Sequence, residues 1–405
     1  GPQWHYEPWQ LGDQAMRMAD YKYNDVIHRC FRCGYCKFPQ DWSTVTNCPA
    51  YARFRMESYS AGGRLWLIRA WLTGELEWSE HLADIVYSCA TCKNCVEKCP
   101  HSFSGELVDM VIAARTQMIE TGKLPRTVTR FLDNVQQHGN PYGIASRKRA
   151  EWMAEMDLEP YQGQDYLFYV GCEGAYDNRA QKIARSVARL LQQAGISFGV
   201  LGNDEVSDGN EVEMMGEDGL LEELASKNIA RFSERGVTRI ITLSPHSYNV
   251  FKNRYPDFGG QYHVFHYSHM LLQAIQSGKL SPPERADQKI TFHDPCFLGR
   301  WNQEYSTPRK IIRSIPGVQM IEMARNKAGA LCCGGGAGNF LTDFLGGSEE
   351  SPARIRIREA CDTKADILAV TCPNCMTMLE DAVKVEGREK ELQVLDIAEL
   401  FIKEE

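Results

Sequence analysis

Cys30, Cys33 and Cys36 stand two residues apart, and Cys48 follows with Pro49 behind it; Cys89, Cys92 and Cys95 repeat the spacing, and Cys99 follows with Pro100 behind it. Three thiolates at this interval can wrap one face of a [4Fe-4S] cube, while the cysteine before proline crosses to the other cube when two such runs share a domain. The spacing therefore predicts one cluster on Cys30, Cys33, Cys36 and Cys99 and a second on Cys89, Cys92, Cys95 and Cys48. Tetrahedral zinc also uses cysteines in pairs, but three evenly spaced thiols plus a distant Cys-Pro, occurring twice, suit it poorly. The first run is not compact: KFPQDWSTVTN, eleven residues, separates Cys36 from Cys48, and reads as a surface loop or a docking element.

Five more thiols fall late in the chain: Cys296, the adjacent Cys332 and Cys333, then Cys372 and Cys375. Adjacent cysteines do not comfortably share one iron of a simple cube, so this grouping predicts an unusual cluster, with a reduced-thiol or zinc site as the competing reading. Gly334, Gly335 and Gly336 would let the backbone approach closely and turn amide N–H groups toward anionic sulfur. An earlier stretch has the same layout with most thiols replaced. Cys172 stands where Cys296 does, Ser207 and Asp208 face Cys332 and Cys333, and Ser244 and Ser247 face Cys372 and Cys375. LCCGGG begins 35 residues beyond Cys296 and VSDGN begins 34 beyond Cys172, and the register continues to HVFHYSHML facing QVLDIAELF. An offset held over several landmarks predicts an internal duplication.

The elements that must position these residues differ between the two halves. GGRLWLIRAWLTGELEWSEHLADIVYS, between the first two runs, puts Leu65, Ile68, Trp71 and Leu72 on one side of a helix, so the first cysteines should sit in a mostly helical domain. Beyond about residue 163, short apolar runs alternate with amphipathic stretches, the pattern of βα units. YLFYVGC and KITFHDPC read as strands leading to Cys172 and Cys296. Helices follow in NRAQKIARSVARLLQQAG, with Ile183, Val187, Leu190 and Leu191 on one face, and in STPRKIIRSI, with Thr307 as cap and Pro308 at the first helical position. The polar linker QSGKLSPPERADQK separates the copies. The expected fold is α+β: a helical ferredoxin-like domain over 1–163, then α/β repeats over 164–288 and 289–405.

Fifteen cysteines in 405 residues, with no export signal visible in GPQWHYEPWQ, favour metal or redox chemistry over disulfides and a cytoplasmic location. The missing initial Met suggests trimming. A net charge of -8 without clustered Lys and Arg argues against nucleic-acid binding. No apolar run approaches the ~18 residues of a spanning helix, so membrane contact is expected only through a partner. CCGGGAGNF is glycine-rich but lacks the later acidic residue of a dinucleotide fingerprint.

Two cysteine-rich runs followed by paired repeats, with Cys296, Cys332–Cys333, Cys372 and Cys375 complete in the second, resemble the catalytic iron–sulfur subunit of heterodisulfide reductase in its fused form, over nearly the whole chain. The resemblance implies repeats of the CCG type, in which each intact motif holds a noncubane [4Fe-4S] cluster on five cysteines and two such clusters face each other to split a disulfide. It implies two cubane clusters and one noncubane cluster here. Serine hydroxyls stay protonated near neutral pH and are hard donors, so the first copy should be empty and Cys172 a packing thiol. A secondary expectation, a different metal on Cys172, Asp208 and His246, rests on register alone. The single intact motif resembles electron-handling modules of larger anaerobic complexes. The expected function is electron transfer between the cubanes and the noncubane cluster, with flavoprotein, ferredoxin-like or membrane quinone-linked partners. The alternatives are thiol–disulfide cleavage at that one cluster, relay to a quinone or flavoprotein, or a scaffold that docks a partner. His293 and Asp294, just before Cys296, could exchange protons there or support the ligands. Cys361 reads as a small hydrophobe on an apolar helix face and stays outside the site.

Overall fold

Ser60 accepts a hydrogen bond from the Gly63 amide and so caps the helix Ala61–Leu72, whose Leu65, Ile68, Trp71 and Leu72 are all buried. This helix packs with Glu80–Tyr87 and Leu107–Glu120 to build the cysteine-bearing domain expected from the sequence. The computed structural model describes residues 18–38, 46–154 and 156–402. The N-terminal run GPQWHYEPWQ and residues 39–45 of the insertion after Cys36 lie outside the described residues.

Eight strands follow: β1 Tyr166–Tyr169, β2 Phe198–Gly199, β3 Arg239–Thr242, β4 His263–His266, β5 Gln288–Phe292, β6 Val318–Met320, β7 Ile367–Val370 and β8 Gln393–Asp396. They form two parallel sheets of identical order, β2-β1-β3-β4 and β6-β5-β7-β8. Leu167 pairs with Ile240 in the first, and Ile290 with Ile367 in the second. Helices cover both faces, which is why the central strands read as unbroken apolar runs: every residue of β7 is buried. Both third strands end in the same device, a residue with extended backbone followed by proline at the start of a helix. Ser244 precedes Pro245–Asn253, and Cys372 precedes Pro373–Val385.

One helix start differs from the sequence reading. The helix after Cys296 begins at Ser306, and its cap is the Glu304 carboxylate, which accepts from the Ser306 and Thr307 amides, both at 2.9 Å. Thr307 is therefore inside the helix, and Pro308 sits where no intrahelical N–H bond is required.

The two sheets meet through polar groups as well as through the core. Arg179, on the helix Asn178–Gln193, pairs with Glu380 at 2.9 Å and Glu399 at 2.6 Å, and the Tyr267 hydroxyl donates to Asp396 at 2.6 Å. The buried Arg115 ties the helical domain to the first sheet unit, donating to the carbonyls of Met214, Val86 and Cys89. Among the described residues no helix is long and apolar enough to cross a membrane.

Candidate metal centres

Cys30, Cys33, Cys36 and Cys99 line one cavity, with Phe31, His101 and Phe103 in its walls. Cys89, Cys92, Cys95 and Cys48 line a second. The loops that carry them share a backbone device. Arg32 and Gly34 flank Cys33 with left-handed φ, and Thr91 and Lys93 flank Cys92 in the same way, so each run curls around its cavity. Cys99 thus lies with the first run and Cys48 with the second. The donor sets fit iron–sulfur clusters: four soft thiols around each cavity, and in the second neither carboxylate nor imidazole to compete. Burial lifts Cys36 to about 12 and Cys48 to about 11, the latter against the pull of Arg64, so cluster loading must displace protons. Cys33 is exposed and hydrogen-bonds His101 at 3.6 Å, which places the first cavity at the protein surface.

The five thiols of the last third converge in the interior. Cys296, Cys332, Cys333, Cys372 and Cys375 are each 0–5 % exposed. The Cys333 and Cys375 sulfurs are 3.4 Å apart, and the Gly334 amide donates to Cys332 at 3.3 Å. Hydrogen bonds from Cys332 and Cys375, with His293 adding to them, hold Cys333 well below the usual thiol range. Burial opposes ionisation of Cys372, but hydrogen bonds from Cys375 and His246 bring it down to about 6. This is a pocket organised for sulfur anions.

His293 belongs to that pocket. Its ligand nitrogen lies within 4.8 Å of the Cys333 and Cys375 sulfurs. Arg356 donates to His293 Nδ1 at 3.2 Å, which leaves Nε2 to carry hydrogen toward the thiols. Asp294 does something else. Both its oxygens are held by Arg309, at 2.6 and 2.9 Å, and it accepts the Lys327 amide at 2.7 Å. It anchors the loop that runs into Cys332.

The second cavity and the five-thiol pocket are in direct contact. The Cys92 thiol faces Cys332, whose nearness holds Cys92 well above the usual thiol range. Around this contact, Arg300 donates to the Cys92 carbonyl at 2.5 Å, Trp301 to the Thr91 carbonyl at 2.9 Å, and Asn94 to the carbonyls of Asn47 and Ala330. Gly336 makes the approach possible: a β-carbon there would lie 2.5 Å from the Ala90 carbonyl oxygen. Of the three glycines expected to serve sulfur, this one serves domain docking. Gly336→Ala is therefore expected to cost about 1–3 kcal/mol as an overpacked contact, read as a lower unfolding temperature under anaerobic conditions.

The first repeat is filled differently. Asp208 and Ser247, which face Cys333 and Cys375 in register, hydrogen-bond each other at 2.6 Å, a polar replacement for the sulfur–sulfur contact. Ser207 and Ser244 serve the backbone, accepting from the Gly209 and His246 amides. Arg149 reaches in from the connector, lying 3.6 Å from the Cys172 sulfur and pairing with Glu205 at 2.7 Å. Glu205 in turn accepts the Val170 and Gly171 amides. A buried guanidinium and its counter-ion occupy this end of the copy. Cys172, Asp208 and His246 do not converge: Cys172 meets Arg149 and Gly139, Asp208 meets Ser247 and Asn210, and His246 turns to Glu211 and Cys372. Arg149 and Glu211 are the groups that spacing alone did not reveal, since neither belongs to a local motif, whereas His246 stood in register but its partners did not. Cys361 packs at the edge of the core, away from these groups.

Residues 26–103 match the family described as a 4Fe-4S dicluster domain, and residues 166–252 and 290–380 each match the cysteine-rich domain. The chain is similar to the probable iron-sulfur-binding oxidoreductase FadF of Bacillus subtilis, 39% identical over 78% of this chain and 46% of that protein. It is 30% identical to the EtfAB:quinone oxidoreductase of Syntrophomonas wolfei over 95% of this chain and 59% of that one. It therefore spans about half the length of these two relatives. To one subunit of the dihydromethanophenazine:CoB–CoM heterodisulfide reductase of Methanosarcina barkeri it is 29% identical, over 92% of this chain and 93% of that polypeptide. A crystal structure of a hypothetical protein from Helicobacter pylori shares the fold, with a TM-score of 0.55 at 11% identity over 97% of this chain and 77% of that one.

Proposed function

Because this chain belongs to the iron–sulfur oxidoreductase subunits that join a 4Fe-4S dicluster domain to two cysteine-rich domains, and is related over nearly its full length to a heterodisulfide reductase subunit, we propose that it relays electrons along one line of three clusters. Cys30, Cys33, Cys36 and Cys99 would hold the outer cubane, Cys89, Cys92, Cys95 and Cys48 the inner one, and the five late cysteines a noncubane [4Fe-4S] cluster. Such clusters supply one-electron chemistry when bound. The observation that carries the reading is the junction of the two sites: Arg300 donates to the carbonyls of Cys92 and Ala330, which brings the inner cavity's Cys92 up to Cys332 of the five-thiol pocket. At the other end, exposed Cys33 offers a partner access to the line.

The burial of all five late cysteines favours relay over cleavage of a disulfide substrate, which would have to reach that pocket. The name of one relative, EtfAB:quinone oxidoreductase, supports an EtfAB-type partner on one side and a quinone on the other, within an assembly to which this chain contributes the iron–sulfur part. Membrane contact would then come through that assembly.

Anaerobic purification with iron and sulfide analysis tests the inventory. About 12 irons are expected, from two cubanes and one further four-iron cluster, with three redox transitions followed by EPR. A value near 16 would show a loaded first repeat, and a value near 8 would remove the noncubane cluster.

A further inference from the structure

We propose that the first repeat, without a cluster of its own, supplies a positioning pair, His246 and Glu211, to the cluster of the second. His246 lies two residues into the turn SPHS that faces CPNC in the other copy, and it is buried. Its Nδ1 contacts a Glu211 carboxylate oxygen, which leaves Nε2 free to turn toward Cys372, the thiol whose ionisation it favours. The imidazole also lies 4.2 Å, centroid to centroid, from the ring of Phe297, the residue after Cys296. The second oxygen of Glu211 accepts the Gly338 amide at 2.5 Å, just beyond the Cys332–Cys333 loop. One pair from the opposite repeat thus touches all three ligand-bearing segments. Asn210 completes the support, donating to Glu211 at 3.0 Å and itself held by Asn249 at 3.1 Å.

The arrangement is one-sided. Asn374 occupies the place of His246 in the intact copy, and neither polar atom of its side chain has a partner among the described residues. A buried histidine–carboxylate pair is costly to maintain for packing alone, whereas a hydrogen bond to a ligand sulfur has a redox consequence. Donation to Cys372 stabilises the negative charge gained on reduction, and so raises the potential of the cluster it holds. The proposal rests on the reading that Cys372 is a cluster ligand.

EPR-monitored redox titration of the anaerobic holoprotein tests it with His246→Leu, His246→Gln and Glu211→Ala. In His246→Leu the midpoint of the third cluster is expected to fall by at least a tenfold change in its reduction equilibrium, about 59 mV for one electron, while both cubanes stay at their wild-type values. His246→Gln keeps a donor and should recover at least half of the shift. Glu211→Ala, which frees Gly338 and loosens the imidazole, should move the same midpoint in the same direction by less. An unchanged third midpoint in His246→Leu, or an equal shift of all three clusters, would overturn the positioning role. Wild-type protein with only about 8 irons would instead remove the reading on which it rests, so the two failures are told apart.

Discussion

Replacing Cys333 by serine should remove about one third of the iron, from about 12 to about 8 per chain, while both cubane signals persist. The size of the effect follows from the position of Cys333. Its sulfur lies 3.4 Å from Cys375, it adjoins Cys332, and it receives the hydrogen bonds that favour a thiolate. A hydroxyl there stays protonated and is a poor iron ligand. Iron and sulfide counts with EPR on the anaerobically purified variant decide the matter. Unchanged iron would mean that the five thiols do not act as one ligand set. Loss of all 12 irons would mean that the pocket and the cubane domain fold as one unit. Dithionite should still reduce both cubanes, since Cys92 and its three companions are untouched.

The second large effect concerns stability. Arg149→Met leaves Glu205 buried without its cation, and breaking such a pair costs about 3–5 kcal/mol. The Val170 and Gly171 amides still hold the carboxylate, so the expected loss is near 3 kcal/mol, visible as a fall of roughly 5 °C in the unfolding temperature measured without oxygen. Arg149→Met combined with Glu205→Gln removes both charges and should recover more than half of that loss. Iron content should not change in either variant. A gain of iron in Arg149→Met would show that the guanidinium had been excluding a metal, and an unchanged unfolding temperature would show that the pair adds nothing to stability.

Cysteines with local spacing were legible from the sequence because the constraint is itself local: a loop closing on a cube needs its ligands two residues apart. Cys48 and Cys99 were legible for the same reason, each marked by a following proline. The repeat was legible because strands and turns keep their order while ligands vary, so Ser244-Pro245 still stood out against Cys372-Pro373. What stayed hidden depends on three-dimensional approach. Arg149 enters the first repeat from 23 residues before Cys172, and nothing in its neighbourhood marks it as a counter-ion. His246 was visible in register, yet its partner is Cys372 on the opposite repeat, a pairing that only the packing of the two sheets creates. Asp294 adjoins His293 in sequence, but successive residues leaving a strand point apart, and the Asp294 carboxylate meets Arg309. The Glu304 cap was missed because a side chain from outside the helix supplied what Thr307 was expected to give.

The buried Arg149 also bears on how this chain can change over generations. Returning cysteines one at a time to positions 207, 208, 244 and 247 would add thiols beside a cation already matched to Glu205, and each would first break a working hydrogen bond, such as that between Ser247 and Asp208. On the proposed reading, in which the first repeat holds no cluster, a return to five thiols thus requires several coordinated changes and removal of the Arg149–Glu205 pair, so this half is expected to keep diversifying.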